Sequence, residues 1–254
     1  MKKSILIILC ILLLVISISF YFNNNVGSAI QLVAKNTKIN NAALVYRVYV
    51  FGIFALAKAV FEPVTIEDFG GRRVYHLQLK AAALDIFQKY LKLEALLDSY
   101  VDMDTGNPVY FKQKVISPGG EAKDKDVVYD QENLVMTIRG ERRQIMPDTK
   151  DPLSAIYQIR RMNLDNLKEL EMNINTNQKN YILKGAVVKK NVSMGKDKFE
   201  LFVADAGIRR RDKNPYHQSK LNITLINHNK ENIPILVKVF ASGFYVSAKL
   251  VEIK

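Results

Sequence analysis

Three histidines, one cysteine, a helical serine and a few clustered carboxylates are the residues that could do chemistry, and their spacing argues against most of it. His76, His217 and His228 stand in separate segments, without the His-x-x-x-His spacing that turns two ring nitrogens toward a zinc ion. Cys10 lies inside an apolar run, so the remainder of the chain has neither a thiolate nucleophile nor an internal disulfide. Ser154 sits in Leu-Ser-Ala without the flanking glycines of a nucleophile elbow, and its expected role is a hydroxyl bonded back into the first helical turn. Asp102, Asp104 and Gly106 begin like a calcium loop, but Gln113 and Lys114 stand where a bidentate Glu would close it. No glycine-rich phosphate cradle is present, and no pair of carboxylates is marked out for acid–base work. These observations predict a protein that is not an enzyme and has no metal or cofactor.

The stretch that could serve binding is Asp151 to Met162. Asp151 is a good N-cap, and Pro152 falls at the first helical position, where its missing N–H is no loss. Leu153, Ile156, Tyr157 and Arg160 recur at helical spacing, Ile159 widens their face, and Arg160 and Arg161 suit the carbonyl end of the dipole. About twelve residues are marginal as an isolated helix, so this one must dock on an apolar surface. Tyr157 and Arg160, one turn apart, are the candidate ligand-binding pair: an amphipathic ring and a cation for an anionic headgroup. The competing reading is plain packing, with Arg160 in a salt bridge.

The elements around that helix read as strands. Leu44–Phe51, Phe54–Phe61, Arg73–Leu79, a segment up to Val101, Val109–Ile116, Val127–Asp130 and Leu134–Arg139 are β-branched, aromatic or alternating. A short helix is expected near Asp85–Tyr90. Beyond the main helix, Met172–Asn175, Tyr181–Val188, Phe199–Ala204, Leu221–Ile226, Ile235–Phe240 and Phe244–Val251 follow at short intervals, with connections rich in Asn, Gly and Lys. Many strands, tight turns and one clear helix predict a mainly β fold: a strongly curved antiparallel sheet or half-barrel with one or two helices packed on or in it.

Lys2 and Lys3 precede an apolar run from Ile5 to Phe22, the pattern of an export signal. Small residues at Val26-Gly27-Ser28-Ala29 allow cleavage after Ser28 or Ala29. The run is also about as long as the shortest bilayer span, so an uncleaved anchor with an exported body is the alternative. The expected organisation is residues 1–29 as signal or anchor and residues 30–254 as one exported β domain, in the periplasm or cell envelope. The formal net charge is +12, which outside the cytoplasm points to anionic lipid or glycolipid and away from nucleic acid. Arg209-Arg210-Arg211, with Lys213 and Lys220 near, reads as a solvated loop between strands.

At Asp151, Leu153, Ser154, Ala155, Tyr157 and Arg160 the chain resembles the bacterial envelope family known as domain of unknown function 3108, whose members carry a similar Asp-x-Leu-Ser-Ala-x-Tyr-x-x-Arg helix. Tyr46 to Phe61 resembles that family's first hairpin, although Ala57 departs from an expected glycine. Ser99–Asp102 and Pro108–Phe111 resemble its middle strands, and Ile233 through Gly243 to Leu250 its closing hairpin. The resemblance implies an exported single-domain β protein of curved-sheet or barrel type, and brings no activity, cofactor or catalytic residue. The leading expectation is a non-enzymatic envelope module whose curved sheet encloses a lipid-like ligand beneath the helix. Its rivals are a membrane-tethered assembly protein that pairs through a sheet edge and, last, a hydrolase using Ser154 with His76 or His217.

Overall fold

The computed structural model describes residues 26–36, 39, 41–116, 122–176, 178–212, 219–241 and 243–254. The expected apolar run at residues 5–22, and with it the signal or anchor, lies outside them, as do Lys213 and His217. Among the described residues no helix is long and apolar enough to cross a membrane.

Fifteen strands form one antiparallel, strongly curved sheet. The first half holds β1 (Leu44–Val50), β2 (Phe54–Phe61), β3 (Thr65–Phe69), β4 (Arg72–Ala83), β5 (Glu94–Asp102), β6 (Pro108–Ile116), β7 (Ala122–Asp130), β8 (Val135–Ile138) and β9 (Glu141–Gln144). The second holds β10 (Glu169–Thr176), β11 (Lys179–Met194), β12 (Asp197–Arg210), β13 (Ser219–His228), β14 (Glu231–Ala241) and β15 (Phe244–Ile253). Three helices accompany them: α1 (residues 26–35), α2 (Asp85–Leu91) and α3 (Pro152–Arg161).

Neighbouring strands are nearly all neighbours in sequence, and β15 returns to pair with β1. The sheet is thus one continuous meander around a barrel, interrupted between β9 and β10, which do not pair. The chain spends that interruption on α3. From its N-cap the helix runs through the interior and packs against β4 and β5 on one side and β10 and β14 on the other.

The gap itself is bridged by the segment leading into α3. Lys150 forms a parallel bridge with Ile174 of β10: its N–H donates to the Asn173 carbonyl at 2.8 Å, and its carbonyl accepts from the Asn175 N–H at 2.8 Å. Side-chain amides extend the fastening. Asn173 donates to the Pro147 carbonyl (2.8 Å) and Asn180 to the Gln144 carbonyl (2.9 Å). This strap supplies hydrogen bonds that a missing β9–β10 ladder would have made.

Alternation along the strands fills the interior from both walls. One cluster joins α1 (Ala29, Ile30, Val33) to Tyr46, Phe61, Leu77, Val101, Phe111, Val127 and Leu153 of α3. The other joins Ala155 and Ile159 of α3 to Leu170, Met172, Leu183, Phe202, Ile223 and Leu225. The spacing of Val26, Ala29, Ile30 and Val33 makes α1 amphipathic, and its apolar stripe lies inside the barrel. A cleavage after Ser28 or Ala29 would fall within this helix and beside its most buried residues.

The strands run longer than the sequence patterns predict: β11 reaches Met194 and β12 reaches Arg210. Arg209 and Arg210 therefore belong to a strand, correcting the loop expected there. Arg210 pairs with Asp212, and Arg211 donates to Asn173 on the seam. Gly185 of β11 marks the closest approach of β11 and β12: a Cβ there would lie 2.1 Å from the Asp205 carbonyl oxygen and 2.3 Å from the Ala206 Cα. Replacing Gly185 by Ala is expected to lower stability by about 1–3 kcal/mol, seen as a lower midpoint in thermal or urea unfolding. Gly207→Ala is the control, since nothing described lies nearer than 3.9 Å to its added methyl.

Candidate functional site

Each residue of the α3 motif has a structural task. The fully buried Asp151 carboxylate accepts from the N–H groups of Leu153 (2.8 Å) and Ser154 (3.1 Å), capping the helix, and from the Ser99 hydroxyl of β5 at 2.6 Å. Burial raises its pKa, while the Ser99 and Ser154 contacts pull the other way. The Ser154 hydroxyl donates to the Asp151 carbonyl at 3.1 Å, the local bond expected of it. Leu153 enters one core cluster and Ala155 the other.

Tyr157 and Arg160 face the protein. The Tyr157 ring lies 5.5 Å from that of Tyr75, and its hydroxyl accepts from Arg161 at 2.6 Å. Burial pushes the Tyr157 phenol up. Arg160 is 7% exposed, pairs with Glu231 of β14 at 3.1 Å, and lies over the Phe61 ring at 5.5 Å. Its charge therefore already has a carboxylate and an aromatic face, and the helix lining is engaged with the walls.

Ser154 and His76 lie on opposite faces of the sheet. Ser154 is inside with Ser99, whereas His76 alternates outward on β4 beside inward Leu77. Both His76 nitrogens face carboxylates, Glu67 at 2.8 Å and Asp98 at 3.0 Å, and its ring stacks on Tyr100 at 4.5 Å. Both ring nitrogens are therefore occupied by partners on the outer face. The Asp102 carboxylate of the calcium-like turn accepts from the N–H groups of Asp104 and Thr105 and from the Thr105 hydroxyl. That is a turn held by its own donors.

A cationic row and an apolar groove share the outer face of β1, β2, β4, β5, β6 and β15. Arg47 of β1 stands directly opposite Lys249 of β15 on one side and Lys58 of β2 on the other. Burial first, and then the Arg47 guanidinium, holds the Lys249 ammonium below its ordinary range. One row along, Val60, Lys80, Leu96 and Lys114 face one another across four strands. Between these rows lies a groove of about 510 Å³ with Val60, Ala82, Leu96 and Ile116 as its apolar surface and Lys58, Lys80 and Lys114 around it. Glu94 also lines it, and Lys80 is paired with Glu62 at 3.0 Å. The Lys249–Arg47–Lys58 row thus sets three cations side by side on one face of the sheet.

None of these cations was singled out from sequence. Lys58, for one, is a lone polar residue at an outward position of an otherwise apolar strand, Phe-Ala-Leu-Ala-Lys-Ala-Val-Phe. The alternation marks them as outward, but only the order of strands brings them together.

With this architecture in view, the class of the molecule is a barrel-like antiparallel β protein threaded by a helix. The profile of the family described as "Protein of unknown function (DUF3108)" matches residues 45–243, and the chain belongs to that family. No curated protein matches the sequence. Among solved structures, the beta-barrel-like protein of domain of unknown function DUF1849 from Brucella abortus superposes with a TM-score of 0.54 at 11% identity, covering 86% of this chain and 99% of that one. A "putative lipoprotein" from Parabacteroides distasonis gives a TM-score of 0.32 at 9% identity, covering 85% and 95%. The first of these shares the fold.

Two outcomes test the account of α3. Arg160→Ala leaves Glu231 without its partner and should cost about 3 kcal/mol, whereas Arg161→Ala, nearer the surface, should cost under about 1 kcal/mol; urea midpoints separate the two. For Asp151, a raised native pKa means that the folded state binds the proton more tightly than the unfolded chain. Its contribution is therefore full below the ordinary carboxylate pKa and lost as pH rises through the folded value. Asp151→Asn removes that dependence, so the variant's stability relative to the wild type should improve between about pH 4 and about pH 7. A constant difference across that window would count against a carboxyl whose pKa is raised by burial.

Proposed function

We propose that this protein is an exported, non-enzymatic module of the cell envelope that binds an anionic amphiphile, a lipid or glycolipid, in the groove on its outer face. The carrying observation is the row Lys249–Arg47–Lys58 beside the apolar surface of Val60, Leu96 and Ile116. An acyl chain suits that surface, and the concentration of positive charge along the row suits a phosphate or carboxylate headgroup. The packed interior directs the ligand outside the barrel. Export rests on Lys2, Lys3 and the apolar run to Phe22. The non-enzymatic reading rests on Ser154, whose hydroxyl is engaged inside the barrel while His76 lies outside.

A membrane-tethered assembly protein is the second reading, and the outer edge of β9 is the observation behind it. That strand pairs with β8 on one side and is fully exposed along Glu141–Gln144. Its Glu-Arg-Arg sequence, however, is the kind of charged edge that discourages strand addition.

The test is a calorimetric titration with short-chain phosphatidylglycerol below its micelle concentration, with short-chain phosphatidylcholine as the comparison. The anionic lipid is expected to bind, and the Arg47→Glu/Lys58→Glu variant to bind at least about tenfold more weakly. Equal binding of the two lipids, or a variant indistinguishable from wild type, sinks the reading.

A further inference from the structure

One end of the barrel carries a concentration of exposed apolar side chains that neither the core nor the groove uses. The β1–β2 turn presents Phe51 (52% exposed), Ile53 (52%) and Phe54 (62%), and the start of β15 presents Phe244 (61%). The Phe51 and Phe244 rings lie 6.2 Å apart, and the Phe51 N–H donates to the Tyr245 carbonyl at 2.7 Å. Helix α2 begins at the same end, where the Leu84 N–H donates to the Leu56 carbonyl. Its Ile86 (72%) and Tyr90 (75%) share one helical face, and none of its side chains is buried.

Two features separate this tip from incidental surface. Phe51 adopts a φ of 53°, ahead of Gly52 at 71°. That left-handed conformation favours Gly, Asn or Asp in hairpin turns and is strained for a bulky aromatic residue, so the turn is not what selects a phenylalanine there. Second, a seven-residue helix is unstable alone, and α2 holds its apolar face toward solvent instead of toward the core. Lysines stand around the tip: Lys89 on α2, Lys92 directly after it, and Lys220 of β13 opposite Phe240, beside the acidic Asp85 that opens α2. Aromatic and aliphatic side chains ringed by lysines match the interface of an anionic bilayer, where the rings enter below the headgroups and the ammonium groups stay among the phosphates.

We propose that this tip, formed by Phe51, Ile53, Phe54, Phe244, Ile86 and Tyr90, docks into the surface of an anionic lipid bilayer. The end of the barrel where α1 begins is the opposite one: Gly27 lies against Met194, at the far hairpin of β11 and β12. The tip therefore faces away from residue 26. The inference shares the export and anionic-lipid chemistry of the groove reading but uses other residues, so either can fail alone.

The experiment holds the full-length chain by an N-terminal hexahistidine tag on a supported phosphatidylcholine bilayer doped with chelator lipid. Fluorescent vesicles of phosphatidylethanolamine and phosphatidylglycerol are then passed over it. The wild type should capture them, and phosphatidylcholine vesicles far less. Phe51→Ser/Phe54→Ser/Phe244→Ser should reduce capture at least about tenfold at an unchanged melting temperature, while Arg47→Glu/Lys58→Glu retains most of it. Should the triple variant not fold, Ile86→Ser/Tyr90→Ser, on a helix with no buried side chain, carries the same test. Capture equal to wild type by a folded tip variant overturns the proposal, as does a wild type that captures no vesicles. A dimer that the tip substitutions abolish, in the absence of vesicle capture, overturns it in favour of a second copy of the chain as the occupant.

Discussion

A sheet that curls almost into a barrel must either close its last pair of strands or protect two open edges, and the rest of this molecule depends on how that is done. Between β9 and β10 the ladder is replaced by residues 145–151, and nearly every polar group of that strap is engaged. The Thr149 hydroxyl donates to the Met146 carbonyl at 2.6 Å, and the Thr149 carbonyl accepts from Gln131 at 2.9 Å. The buried Lys150 ammonium donates to the Gly106 carbonyl at 2.7 Å and to the Asn107 side chain, whose own amide donates to Asp148 at 3.0 Å. Burial lowers the Lys150 pKa, with Asp148 and Asp151 opposing it. Asp151 then links strap, wall and helix through one carboxylate. Hydrogen bonds to a buried charge are worth about 1.5–3 kcal/mol each, and an orphaned partner costs a comparable amount. The seam is therefore a connected polar network whose loss would release the helix that holds the two core clusters together.

That dependence accounts for the packing of each residue of the α3 motif. A helix inside a barrel touches several walls at once, so its residues are constrained around its whole circumference. Asp151 answers to β5, Leu153 and Ala155 to different clusters, Tyr157 to β4, and Arg160 to β2 and β14. A stripe that reads in sequence as one amphipathic face with two polar ends is in space a set of separate attachments.

What was legible in the sequence follows from where the physical signal is local. Residues 54–61 and 85–91 alternate or recur at strand and helix periods, and both elements form nearly where the pattern places them. Thr65–Phe69 and Glu141–Gln144 carry no buried face, so β3 and β9 leave no alternation to detect; they exist through pairing with β4 and β8. Residues 26–35 follow an apolar run after three asparagines, and small residues that suit cleavage also suit a helix inserted into a tight core. The chain's route past α3 was visible, but the partners of Tyr157 and Arg160 lie 82 and 71 residues earlier and later in the chain, at Tyr75 and Glu231. The cationic row was hidden for the same reason. Arg47, Lys58 and Lys249 are ordinary singly until β15 comes back to β1 and makes them neighbours.

A barrel occupied by its own helices has its chemistry on the outside, and here the outside has a direction. Val26 packs on the core at one end. The aromatic tip stands at the other end, and the cationic groove opens on the wall near that tip. The order of these features along one axis follows from topology alone. β1 leaves the α1 end and turns at Phe51, so the strand whose Arg47 lies in the cationic row is also the strand that delivers the exposed ring. Groove and tip are consequently fixed to each other by a few residues of paired backbone, and a lipid lying in the one would extend from the surface met by the other.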